Sequence, residues 1–154
     1  MKHKHIVGHK QKIDAIFLKA KDLNGDPELI SHWSRYLCVL VSGFVEASVR
    51  TILSEFASKR ASPEISDYVG KQLRGFQNAK MSKILDLTSE FGSSYRDELE
   101  KIVEGELKDA IDSIVSNRHL IAHGQDVGIG FASIKRYYES AVKAIEEIEQ
   151  RFNP

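Results

Sequence analysis

The sequence predicts an all-α fold, organised as a single-domain, up-and-down helical bundle. Apolar residues recur every three or four positions through most of the chain, which is the spacing of one buried helix face. No segment alternates polar and apolar residues in the way that indicates a β-strand. A capping residue precedes proline at Asp26-Pro27 and Ser62-Pro63, as is typical of helix starts. The chain of 154 residues is long enough for one core, so we predict a single domain over residues 1–154.

The first half of the chain predicts three helices. Residues 1–5 are polar and are expected to form a flexible start. Helix periodicity then covers residues 6–21 and stops at the Asn-Gly-Asp stretch 24–26. The second helix, 27–60, is apolar on more than one side, so we expect it at the centre of the bundle. A third helix is predicted over 63–74.

The second half of the chain predicts four more helices. Asn78 is interpreted as the cap of the first of them, and Gly92, Gly105 and the glycine-containing loop 124–130 separate the others. The predicted segments are 78–91, 94–103, 106–123 and 131–152.

Composition restricts the possible functions. Lysine plus arginine and aspartate plus glutamate number 22 each, so any binding of nucleic acid must depend on local basic patches. The one cysteine, Cys38, lies among apolar residues and cannot form an intramolecular disulfide, which indicates an intracellular, cytoplasmic protein. The longest uncharged apolar run, 36–45, is about half of the roughly 20 residues that a membrane helix needs. No signal peptide is recognised, and no membrane partner is expected.

The segment 116–124 contains the candidate functional residues. Apolar residues one and two turns earlier place Arg118 on the buried side of its helix, where a guanidinium requires acceptors. No acidic residue follows within one turn, so the acceptor must come from elsewhere in the fold, another subunit or a ligand phosphate. Gly124 is suited to the left-handed conformation that ends a helix. His123 is therefore predicted in the last turn, where its imidazole can turn toward the arginine.

The Arg118-x4-His123-Gly124 pattern at the end of a late helix resembles the signature of the HEPN superfamily. Among its members the chain is most similar to the RiboL-PSP-HEPN type. Three other segments support this resemblance in the same order along the chain: 40–50, 78–85 and the pair Tyr137-Tyr138. The resemblance covers roughly residues 30 to 150. Relatives often have Asn after the arginine, where this chain has His119.

The resemblance implies a metal-independent endoribonuclease, with no metal ion and no cofactor. RNA carries its own nucleophile, because its 2′-hydroxyl can attack the adjacent phosphorus and leave a 2′,3′-cyclic phosphate and a 5′-hydroxyl. An imidazole titrates near neutrality and suits proton transfer at this step, so His123 is the candidate acid or base. The fork of donors on Arg118 fits a phosphate and can stabilise the charge that develops in the transition state. DNA lacks the 2′-hydroxyl and should therefore not be cleaved.

Six further residues are assigned to the site. Glu46, Asn117 and His119 are predicted as supporting residues. Gly124, Tyr137 and Tyr138 are predicted to contact substrate, the glycine through its backbone and the tyrosines by stacking on bases. HEPN ribonucleases are typically homodimers that join two copies of the motif in one cleft, so the resemblance also implies a homodimer. It further implies RNA as partner, a setting in defence or stress as a toxin or antiviral effector, and possible control by an antitoxin or other regulatory protein.

Other interpretations of these residues stay open. Arg118 and His123 could simply be cations that favour the negative end of a helix dipole. Glu46 could pair with Arg50 one turn later on a solvated face, or could reach across to hold Arg118 or His123. The two tyrosines could belong to the core. His3, His5 and His9 lack a carboxylate or cysteine partner, which favours a solvated terminus over a metal site.

Two different functions also stay open. The chain could be a non-catalytic HEPN protein that binds RNA, a nucleotide or a partner protein through the same cleft. It could also be a helical dimer with a scaffold role.

Overall fold

A computed structural model describes residues 1–23 and 25–154, and in that part the chain forms seven α-helices and no strand. The prediction of an all-α fold is confirmed. The helices are α1 (Lys4–Lys21), α2 (Pro27–Ser58), α3 (Pro63–Leu73), α4 (Met81–Ser89), α5 (Ser93–Val103), α6 (Glu106–Ala122) and α7 (Phe131–Phe152).

Helix α2 is the central element, as its apolar residues on several sides predict. It packs against α1, α3, α6 and α7, and its largest buried side chain is Phe44. By length and composition α2 could also cross a membrane, but 56% of its most apolar 18-residue window is buried inside the bundle. A core helix of a bundle has these properties, so they are weak support for a membrane span.

The helix starts that contain proline form as predicted. The Asp26 carboxylate accepts the N–H groups of Glu28 and Leu29 at 3.0 and 3.1 Å, and Pro27 begins α2. The Ser62 hydroxyl caps α3 in the same way. Asn24, which the sequence places in the stop after α1, lies outside the described residues.

Two predicted boundaries are wrong. Asn78 does not cap α4, because the residue before that helix is Lys80 and the carboxylate of Asp112 accepts the N–H of Met81 at 2.7 Å. Helix α5 begins at Ser93, directly after Gly92. That glycine has a φ of 144°, a conformation that side-chain-bearing residues rarely adopt, so it forms the turn between the two helices.

The polar first residues, for which the sequence predicts a flexible start, contact the last helix. Helix α1 already begins at Lys4, and the backbone N–H groups of Lys2 and His3 donate to the carboxylate of Glu149 at 2.7 and 2.8 Å. Glu149 is only 3% exposed. A buried carboxylate needs donors, and the backbone of the N-terminal segment supplies them.

Candidate functional site

Arg118 lies near the end of α6, at the edge of the buried face of that helix. Ile111 and Ile114 are fully buried on this face, and Val115 is nearly so. Arg118 is one turn beyond Ile114, so its side chain leaves the core side of the helix and is 25% exposed. The predicted half-buried position of the guanidinium is therefore observed.

The acceptor that this guanidinium requires comes from α2. Nη2 of Arg118 lies 3.3 Å from Oε1 of Glu46, whose side chain is 14% exposed. The same carboxylate oxygen accepts the backbone N–H of Asn78 at 2.8 Å. Glu46 thus contacts Arg118 on α6. It also binds the backbone of Asn78, which belongs to the segment that connects α3 and α4.

Asn78 supplies a second acceptor, a role that the sequence interpretation missed. Its side-chain oxygen accepts from Nη2 of Arg118 at 2.7 Å. The backbone of Asn78 has a φ of 54°, in the left-handed region that asparagine tolerates better than most residues. An asparagine in a short connection between helices is compatible with this left-handed conformation, but it is equally compatible with a helix cap, so the sequence did not distinguish the two roles.

His123 is the C-cap of α6, and Gly124 ends the helix with a φ of 68°. The N–H of Gly124 donates to the carbonyl of Ile121, and the N–H of Gln125 donates to the carbonyl of Leu120. These two bonds form the glycine-dependent helix ending that the sequence predicts. They fix the backbone that carries the candidate histidine.

The two histidines of the motif are neighbours on the surface. Their rings lie 4.4 Å apart, centroid to centroid, and are tilted by 59°, and both residues are exposed. His119 also lines a surface groove of about 460 Å³ between α4 and α6, together with Asn78, Lys80 and Lys83. We call this the α4–α6 groove.

Arg118 and His123 are linked indirectly. In the described part of the chain they form no hydrogen bond with each other, but Asn78 contacts Arg118 and lines the α4–α6 groove, where His119 packs on His123. The arrangement joins a positioned guanidinium, two exposed imidazoles and a basic groove. Chemically, it can hold a phosphate and move protons beside it.

Three predicted residues behave differently from this group. Asn117 donates its side-chain N–H to the carbonyl of Ser113 at 2.8 Å, so its amide serves its own helix. Tyr137 is partly buried against the core. Tyr138 is only 5% exposed and stacks on Phe17 with ring centroids 5.0 Å apart, so its ring is not free to stack on a base. The prediction that Tyr138 contacts substrate is therefore wrong.

Cys38 lies on α2 and contacts α6, the helix that carries Arg118. Its thiol is fully buried, and Sγ lies 3.5 Å from the carbonyl oxygen of Ile114. Burial raises the pKa of the Cys38 thiol to about 11, although the nearby charge of Arg118 acts in the opposite direction. The prediction of a small buried hydrophobic residue is consistent with this position.

The fold and this site together define a HEPN-type domain, an all-helical bundle with an arginine and a histidine five positions apart near the end of a late helix. The family model described as RiboL-PSP-HEPN matches residues 6–153, nearly the whole chain. The protein belongs to this family, whose HEPN relatives are often ribonucleases or nucleotide-binding proteins. Comparisons with curated proteins and with solved structures each gave no significant match.

Proposed function

We propose that this protein is a metal-independent endoribonuclease whose reaction centre is formed by Arg118 and His123. The main support is the way Arg118 is held. Both of its contacts, to Glu46 and to Asn78, use Nη2, and in the described part of the chain Nη1 and Nε have no hydrogen-bond partner. The guanidinium is therefore fixed in position while two of its nitrogens stay available for a phosphate.

In the proposed reaction a base takes the proton of the 2′-hydroxyl. The 2′-oxygen forms a bond to phosphorus, the bond from phosphorus to the 5′-oxygen breaks, and an acid gives that oxygen a proton. His123 carries out proton transfer, and Arg118 stabilises the charge on the phosphorus oxygens. His119 packs against His123 and orients its ring. Glu46 and Asn78 position the arginine.

Base and acid are different groups, and a homodimer supplies both by bringing two copies of His123 together. A surface for the second copy runs along the first half of α2. Tyr36 and Val39 are 50% and 40% exposed, and Gly43 has open space beside it. Glu46 follows Val39 by seven residues, or about two helical turns, so this surface leads directly to the contact with Arg118.

The dimer is tested by placing a charge on that surface. Gly43→Glu should give a monomer by light scattering and should lose RNA cleavage, since each site would lack its partner. Leu18→Glu is the matched control, because Leu18 is 67% exposed on α1. A Gly43→Glu protein that stays dimeric, or a monomer that cleaves as fast as the parent, contradicts this part of the proposal.

The activity is tested with purified protein and mixed RNA in EDTA. The parent should produce 2′,3′-cyclic phosphate and 5′-hydroxyl ends, and RNA with a 2′-deoxy sugar at the cut position should not be cleaved there. His123→Ala should lower the rate by about 10²- to 10⁴-fold. Arg118→Ala should lower it by about 10²- to 10³-fold, and Arg118→Lys should restore little because the fork geometry is lost.

Folding of each variant is checked by circular dichroism. Unchanged cleavage in His123→Ala would refute the proposed role of that residue. RNA binding by the parent with no cleavage would instead support a non-catalytic HEPN protein.

The cellular setting that we propose is cytoplasmic defence or stress response, with the activity restrained by an antitoxin or another regulatory protein.

A further inference from the structure

A groove between α2 and α3 is lined by residues outside the Arg118–His123 motif. Its volume is about 940 Å³, and it is open to solvent. We call it the α2–α3 groove. Arg50 and Arg74 line it together with the hydroxyl groups of Thr51, Ser54 and Ser66. It is thus a polar groove with two guanidinium groups.

The charge balance inside this groove favours an anion. Two carboxylates also line it, but Glu55 pairs with Lys59 at 2.8 Å and Asp67 pairs with Lys71 at 2.6 Å. By contrast, neither arginine forms an ion pair with any residue that the structure describes. His3 also lines the groove, with its Nε2 4.0 Å from Oε2 of Glu55.

Two arginines of the α2–α3 groove are close in the chain to residues of the candidate reaction centre. Arg50 lies one turn after Glu46 on α2, and the Glu46 carboxylate faces Arg118 and Asn78. Arg74 lies at the end of α3, four residues before Asn78. Asn78 itself lines the α4–α6 groove, together with Lys80, Lys83 and His119. Both grooves therefore contain cationic side chains that are close in the chain to Glu46 or Asn78, the two residues that hold Arg118.

We propose that the α2–α3 groove binds single-stranded RNA next to the cleavage point, with Arg50 and Arg74 contacting phosphates and the hydroxyl groups contacting sugars. This proposal rests on the proposed function. It adds that the substrate extends several nucleotides beyond the bond that is cut. In the described part of the chain neither arginine forms a hydrogen bond with His119 or His123, so both act in binding and not in proton transfer. The binding should depend on salt, because each phosphate contact releases counterions.

The test measures binding in the His123→Ala background, so that RNA is not consumed. Fluorescent RNAs of 4 and 14 nucleotides are titrated by anisotropy between 50 and 300 mM KCl. The 14-mer should bind more tightly than the 4-mer. Adding Arg50→Gln and Arg74→Gln should raise the Kd of the 14-mer by about a hundredfold or more, since each lost charged hydrogen bond is worth about tenfold or more in affinity. The slope of log K against log salt should decrease by about 1.4, at about 0.7 for each phosphate contact.

Two controls separate charge from position. Arg50→Lys with Arg74→Lys keeps both charges and should keep most of the affinity. Lys135→Gln with Lys143→Gln removes the same charge from the α7 surface, which lines a different pocket, and should leave the Kd unchanged. Circular dichroism and urea unfolding confirm that each variant folds.

The outcomes for the two proposals differ. If the glutamine variants bind the 14-mer with the same Kd and salt slope as His123→Ala alone, the groove proposal is refuted. It is also refuted if the 14-mer binds no more tightly than the 4-mer, or if neither RNA binds. If the groove variants behave as expected but the parent cleaves no RNA in EDTA, the endoribonuclease proposal fails and the groove remains an RNA-binding site.

Discussion

Glu46 and Arg118 are separated by 72 positions in the chain, yet the carboxylate of one lies 3.3 Å from the guanidinium of the other. Glu46 interrupts the apolar surface of the central helix and is 14% exposed. Removing the two charges of an ion pair from water costs free energy, and good geometry with additional hydrogen bonds offsets that cost. Here the backbone N–H of Asn78 donates an additional hydrogen bond to the same oxygen of Glu46. The pair fixes the side chain that the proposed chemistry requires.

We expect Glu46→Ala to release Arg118 and the backbone N–H of Asn78 together. The loss of these partners should lower the free energy of unfolding by about 1 to 3 kcal/mol. Cleavage should decrease by about 10²-fold, because the guanidinium is no longer held in place. Glu46→Gln keeps an acceptor oxygen at the same position and should be affected less in both measurements. Urea unfolding and initial cleavage rates provide the comparison, and equal effects of the two variants would argue against a positioning role.

Asn78 combines an unusual backbone conformation with a side-chain contact, and two variants separate these contributions. Asn78→Gly keeps the φ of 54° without strain but removes the oxygen that accepts from Arg118. Asn78→Ala removes the same oxygen and adds a strain of about 1 to 2 kcal/mol. Both should decrease cleavage by a similar factor, whereas only the alanine variant should carry the additional loss of stability. If Asn78→Gly cleaves like the parent, Asn78 has no part in positioning Arg118.

The parts of the structure that depend on local chemistry could be predicted from the sequence. Asp26 and Ser62 cap their helices through side-chain oxygens that lie within three residues of the N–H groups they accept. Periodicity placed Arg118 at the edge of the buried face of α6. The left-handed turn at Gly124 is also a local property, since glycine has no Cβ to strain it.

Contacts between distant segments could not be predicted in the same way. Arg50 lies one turn from Glu46, so sequence spacing offered a local partner that the folded chain does not use. Asn78 fits a helix cap by residue type, and only the position of Asp112 on α6 shows that α4 is capped from elsewhere. Tyr137 and Tyr138 are adjacent, about 100° apart around the helix, and spacing alone does not decide which of them faces the core.

Gly124 tests how far the helix ending controls the site. Its φ of 68° is costly for a residue with a Cβ, so Gly124→Ala should lower the free energy of unfolding by about 1 to 2 kcal/mol. Because the strain acts directly after His123, cleavage should decrease as well. Gly128→Ala is the matched control, since Gly128 has no positive φ and a Cβ would meet no atom within 4 Å. Similar stability of the two variants would mean that the helix ending tolerates a side chain.

Tyr138 provides a test of its assignment to the core. Its hydroxyl donates to the carboxylate of Asp14 at 2.8 Å and lies 3.3 Å from the carbonyl oxygen of Lys10. Burial, supported by the bond to Asp14, raises the pKa of Tyr138 above its ordinary value. Tyr138→Phe should therefore cost about 0.5 to 1.5 kcal/mol in urea unfolding. Tyr137→Phe should change stability by less than about 0.5 kcal/mol, and the reverse order would contradict the assignment.

Cys38 should make stability depend on alkaline pH. Its pKa is raised to about 11 in the folded state, from about 9 in the unfolded chain, because burial disfavours the thiolate. The folded state therefore has its full stability below about pH 9 and loses stability as the pH rises toward 11, by about 2 kcal/mol. The measurement is urea unfolding of the parent and of Cys38→Ala at steps from pH 8 to 11.

The quantity compared at each pH is the difference in the free energy of unfolding between the parent and Cys38→Ala. Tyr138, whose folded-state pKa is also raised, is present in both and cancels. The free energy of unfolding of the parent should decrease relative to that of Cys38→Ala as the pH rises. A difference in this free energy that stays constant with pH would show that the thiol is not protected by burial. A thiol reagent at pH 8 gives an independent result: the native protein should not react, and the unfolded chain should react once, since Cys38 is the single cysteine.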